Sequence, residues 1–204
     1  MKFVATGFLA AVIIIGYSGY RITQLESEVQ QKQERIHKMQ GHLDSQQHRI
    51  RQLKDRLDRM QQRLHKSIRW TTRAIVSETT RPREMRVIAE IIRNRVESGW
   101  RGHQTYKGVI LDPYQFSAFN PGRGTPSVYR AMTRENTPFP SIWREARGIA
   151  EKVLKAKRED LLTTRRVLHF HHRQVTPKWA YRLERVEVGG RRLLAYRHPR
   201  TTRH

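Results

Sequence analysis

The chain has no cysteine among its 204 residues. That absence removes disulfides, thiolate metal sites and cysteine nucleophiles together. It assigns no compartment, because many exported bacterial proteins also lack disulfides. Acidic residues are scarce too, with 18 Asp and Glu against 41 Lys and Arg and a formal net charge of +23. So basic a chain favours polyanionic surroundings: nucleic acid, anionic lipid, or a phosphate- or carboxylate-bearing cell envelope. No nucleic-acid-binding motif accompanies the charge, so a nucleic-acid partner is not expected.

Charge is missing altogether from one stretch. Residues 3–20, FVATGFLAAVIIIGYSGY, contain no charged side chain. As a helix this stretch reaches roughly 27 Å, close to the thickness of a bilayer's hydrocarbon core. It is long for the apolar region of a cleavable leader, and no clear Ala-x-Ala site follows. The expectation is an uncleaved, single-pass transmembrane anchor over residues 1–21. Lys2 and the amino terminus compete with Arg21, Lys32 and Arg35, so charge does not decide its orientation.

From Ile22 the period changes. Ile22, Val29, Ile36, Leu43, Ile50, Leu57 and Leu64 recur every seventh residue, and Leu25, Met39, Leu53 and Met60 occupy the second apolar slot. This is the heptad pattern of a left-handed coiled coil. Lys32 and Gln46 interrupt the second slot, which weakens the coil but helps to fix its register. Residues 22–67 therefore read as a spacer and a homo-oligomerising element, roughly 65–70 Å long at helical rise.

The remaining segment, 68–204, reads as a small α+β domain, mainly helical. Met85, Ile88, Ile91, Ile92 and Val96 form one helical face, with Pro82 in the first turn and Ser98-Gly99 at the stop. A second amphipathic helix, SIWREARGIAEKVLKA, turns Ile142, Ala146, Ile149, Val153 and Leu154 inward. RVLHFHH reads as a short strand and VEVGGRRLLAY as a hairpin about Gly189-Gly190. The Pro-, Gly- and Asn-rich residues 111–140 read as loops long enough to line a groove.

Glu78 is the candidate acid. It falls near the carboxyl end of its helix, where the macrodipole's negative end disfavours a carboxylate. Apolar neighbours such as Trp70 and Ile75 act in the same direction. Both effects favour the protonated form that a general acid needs. The competing reading is a surface glutamate paired with one of many arginines. His169, His171 and His172 raise the question of zinc. Strand alternation puts His169 and His171 on one face, but spacing identifies no third ligand, so no metal or cofactor is expected.

The ordered set Glu78, Asn94-Arg95-Val96, Gly108-Val109-Ile110, Gln115-Phe116-Ser117, His169-Phe170 and Pro177-x-Trp179 resembles the SleB-type cell wall hydrolases, the spore cortex-lytic enzyme family. The resemblance spans about residues 70–198. It implies a lysozyme-like or lytic-transglycosylase-like catalytic domain acting on the glycan strand of peptidoglycan, with Glu78 as the acid. It further implies that Gln115, Phe116, Ser117, His169, Phe170 and Trp179 line the substrate groove. Phe116 and Phe119 have an alternative reading, in which the loop tucks onto the core. A lytic transglycosylase needs no second carboxylate, because the sugar's own C6 hydroxyl attacks. A hydrolase needs one, and Asp112 and Glu84 are the candidates, Glu84 with a solvent-facing reading as its alternative.

Two departures stand out. TTRPRE replaces the Gly-Glu pair that commonly follows the family's glutamate. The terminal Gly-x-His-x-Phe element survives at most as GGRRLLAYRH, with Tyr196 and His198. Arg191-Arg192 and the RHPRTTRH tail read as weak contacts to an anionic surface. The expected whole is a membrane-anchored enzyme working on the outer face of a bacterial inner membrane. The alternative is a catalytically retired, or a nucleic-acid- or envelope-binding, basic protein oligomerised by its coil.

Overall fold

The computed structural model describes residues 3–120, 129–130, 132–188 and 192–199, with side chains from residue 19 onward. Residues Met1–Arg59 and Met60–His204 separate into two units.

The first unit belongs to helix α1, Phe3–Glu78. Side chains of the expected anchor lie outside the described residues up to residue 18. Among the described residues no helix is long and apolar enough to cross a membrane. The heptad residues are helical and unpartnered: Ile22, Val29, Ile36, Leu43, Ile50 and Leu57 are each more than half exposed, as are Leu25, Met39, Leu53 and Met60.

In the second unit, α1 contributes its last turns. Leu64 packs against the core and Ile68 is buried, so the seven-residue rhythm ends by serving the domain rather than the stripe. Helix α1 stops where the chain approaches Pro82. The residue before a proline is driven out of the helical region, and Arg81 is accordingly extended at φ −102°, ψ 121°. Helix α2 (Pro82–Glu97) then starts with proline in its first turn, where a missing N–H costs nothing.

Helix α2 is the centre of the domain. Met85, Val87, Ile88, Ala89, Ile91 and Ile92 are fully buried, so burial covers nearly the whole circumference rather than the single face expected from its period. Helices α3 (Tyr106–Leu111) and α4 (Pro140–Lys155) pack on it. Trp143, Ala146, Ala150 and Val153 of α4 are buried. Ile142, Ile149 and Leu154 are partly buried against the same core.

Strand β1 is Val167–His172, matching the expected strand. The expected hairpin pairs β2 (Glu184–Val186) antiparallel with β3 (Leu193–Arg197). Its Gly189-Gly190 turn lies outside the described residues. The order is β1-β3-β2, with His169 opposite Tyr196 and His171 opposite Leu194.

Three polar side chains on α2 fix this sheet. Buried Glu90 accepts the N–H groups of Leu162 at 3.1 Å and Thr163 at 2.7 Å. The Asn94 amide donates to Thr163 Oγ1, Thr164 O and Val167 O at 2.9–3.0 Å and accepts from Arg158 at 2.6 Å. Arg95 Nε donates to Leu168 O at 2.7 Å. Buried polar groups cost stability unless satisfied; here they satisfy the irregular segment that leads into β1.

Candidate active site

Glu78 is the last residue of α1. Its side chain is 10% exposed, and its Oε1 is buried without a hydrogen-bond partner. Ile75, one turn earlier, is completely buried. The other oxygen, Oε2, lies 3.7 Å from Nε2 of His172 at the end of β1. Contact with this carboxylate raises the His172 pKa above its ordinary value; partial burial opposes the shift and Glu84 adds to it. The pair exists because α2 holds β1: the Asn94 and Arg95 bonds at the start of the strand set the position of its end.

The break after Glu78 is organised by one hydroxyl. Thr79 Oγ1 accepts from the Arg81 N–H at 3.2 Å and donates to Glu84 Oε2 at 2.7 Å. Glu84, 3% exposed, also lies 3.7 Å from Arg81. Its solvent-facing reading is therefore corrected: it is buried because Thr79 offers it a donor at the first turn of α2.

Glu78 and Glu84 line one groove of about 590 Å³, together with Ser77, Thr80, His172 and Arg173. Asp112 is elsewhere, held by Arg101 at 3.0 Å and His103 at 3.2 Å. Of the two candidate second carboxylates, only Glu84 shares the groove with Glu78.

None of the six residues expected to bind substrate lines this groove. Phe116 is 1% exposed and Phe119 3%, matching the alternative in which the loop tucks onto the core. The Gln115 amide donates to Pro113 O at 3.3 Å, and exposed Ser117 opens a short 3-10 turn. His169, Phe170 and Trp179 join an aromatic cluster. The His169 and Trp179 rings are 5.2 Å apart, as are those of His169 and His198, and Phe170 lies 5.9 Å from Phe116. His171 stacks on Tyr196 and bonds its hydroxyl at 2.9 Å. Burial, helped by Arg95 and His198, pushes the His169 pKa down to about 4, so it is neutral near pH 7. Among the described residues no three potential ligands gather for a metal.

Arg95 joins the two regions electrostatically. Its guanidinium lies over the Trp100 ring at 4.4 Å. Burial lowers its pKa to about 9, with Arg101 adding to the shift and Asp112 and Glu78 opposing it.

Sequence reasoning missed His172 as Glu78's neighbour. Alternation places it opposite His169 and His171, but only the tertiary packing shows which face of β1 meets α1. Arg192 likewise borders the groove, where the sequence suggested only a general surface contact.

A family model described as cell wall hydrolase matches residues 79–193, more than half of the chain and beginning one residue after Glu78. The chain belongs to this family, the SleB-type cell wall hydrolases, and peptidoglycan is the substrate class that membership defines. No curated protein and no solved structure gives a significant match.

Proposed function

We propose that the protein cleaves the glycan strand of peptidoglycan with Glu78 as general acid. The observation that carries this reading is a carboxylate 10% exposed yet bordering an open groove, in a chain of the cell wall hydrolase family. Glu78 gives its proton to the glycosidic oxygen beside N-acetylmuramic acid as the C1–O bond breaks. The muramic C6 hydroxyl attacks C1 and loses its proton to the Glu78 carboxylate, leaving a 1,6-anhydro end and restoring the acid. His172, at 3.7 Å, faces the carboxylate while it is ionised.

A second reading, hydrolysis, gains support from Glu84 in the same groove. A second carboxylate activates water and yields a reducing end instead. Digestion of purified sacculi by the full chain, followed by muropeptide analysis, separates the two: anhydro ends support transglycosylation and reducing ends support hydrolysis. Glu78→Gln keeps shape but loses the titrating proton. A variant as fast as the parent refutes Glu78 as the acid. A parent that releases nothing returns the chain to the retired or purely binding class.

Residues 1–21 anchor the chain in a bacterial inner membrane, with the catalytic domain on the extracytoplasmic side. The heptad segment joins copies of the chain. Its support is the stripe of half-exposed apolar side chains, each offering roughly 1 kcal/mol if its remaining surface is buried by a partner helix.

A further inference from the structure

The groove at Glu78 has a charged continuation. A second depression of about 490 Å³ shares Arg81, Glu84 and Arg173 with it, and adds Arg83, Arg185 and Glu187. With Arg192, five arginines border the combined surface. Glu84 is already engaged by Thr79 and Arg81. Arg83, Arg173, Arg185 and Arg192 are exposed, and their side chains have no ion pair or hydrogen bond among the described residues. Other arginines of the domain pair with carboxylates, as Arg86, Arg93, Arg101 and Arg197 do, or stand exposed, as Arg134, Arg144, Arg147 and Arg182 do; what sets Arg83, Arg173, Arg185 and Arg192 apart is their gathering beside the Glu78 groove.

Guanidinium forks gathered beside the groove can take an anionic partner, because they match carboxylates in shape and charge. The glycan itself does not supply one where the muramic lactyl group is in amide linkage to a peptide. The carboxylates then lie along the peptide, several bonds from the scissile linkage. We propose that the arginine-lined continuation is a subsite for the carboxylates of the peptide attached to muramic acid, making peptide-bearing, acidic glycan the preferred substrate. This inference rests on the Glu78 reading.

The test uses the full chain and two substrates: native sacculi, and sacculi whose peptide carboxylates are converted to methylamides. The glycan and the peptide length are the same in both. Native sacculi should be digested roughly three- to ten-fold faster, the scale of one or two partly exposed ion pairs. Arg83→Gln with Arg185→Gln should lower the native rate toward the methylamide rate. Arg49→Gln with Arg56→Gln, which removes equal charge from the exposed heptad segment, should keep the preference. Equal digestion of both substrates by the parent overturns the subsite and leaves the Glu78 reading standing. Equal loss of preference in both double variants also overturns it, since general attraction would then suffice. Release from neither substrate by the parent overturns the Glu78 reading and the subsite with it.

Discussion

The heptad segment and the centre of the domain are both helical and both periodic in apolar residues, yet they dispose of them in opposite ways. Ile36 and Ile50 are half exposed, whereas Ile88, Ile91 and Ile92 have no exposure. The difference lies less in the apolar residues than in the polar ones between them. Along the heptads these are long, charged and solvated. On α2 they are Glu90, Asn94 and Arg95, whose side chains find backbone partners inside the protein. A helix buried on nearly every side needs most of its polar groups satisfied there; Nη1 of Arg95 and Oε1 of Glu84 are the buried exceptions on α2 among the described residues.

The largest expected effect breaks the comparison at the site. Glu78→Gln should cut muropeptide release by roughly 100- to 10,000-fold, the usual scale of a lost general acid, while urea denaturation of the domain stays close to parental. Next comes the domain centre. Asn94→Ala removes one acceptor and three donated bonds, and should cost about 2–4 kcal/mol in urea denaturation at about 1 kcal/mol per bond. An unchanged midpoint would mean that the 158–168 segment does not depend on α2. The heptad segment should answer differently. Ile36→Lys with Leu43→Lys should abolish self-association in analytical ultracentrifugation and leave domain unfolding unaltered, whereas loss of domain stability would show that the two units are energetically coupled.

The smallest effects concern pH and come from two histidines of β1. His169 is depressed to about 4 from an ordinary 6.5. Its contribution to stability is present above about 6.5 and is lost as pH falls toward 4. His169→Gln should flatten that acid slope in denaturation midpoints measured against pH. His172 is raised by Glu78, so its contribution is complete below about 6.5 and lost as pH rises through the raised value. His172→Gln should flatten the slope on that alkaline side. A slope of the wrong sign in either case would show that these contacts do not govern the titration.

Much of the architecture was readable in the sequence because it rests on local periodicity. The α2 face, β1 and the β2–β3 pairing all follow from spacing. So did Glu78's place at a helix end, since Pro82 forbids a helical Arg81. The groove was less legible. Phe116 belongs to the core and Glu84 is buried, and neither fact has a local signature, because both depend on which face of a loop or first turn meets a distant element. His172 was obscure for the same reason: alternation sorts a strand's residues into two faces without saying what each face meets.

Glu78 is bounded by hydrogen-bonded backbone on both sides. Ahead of it the helix continues to the Thr79 N–H bond to Ile75 O at 3.0 Å; beyond it the Thr79 hydroxyl clasps the turn into α2. Freedom to reach is thereby confined to the torsions of one short side chain. On the proposed role of Glu78, the linkage has to come to the acid, so the point of cleavage would be set by how the polymer is seated in the groove.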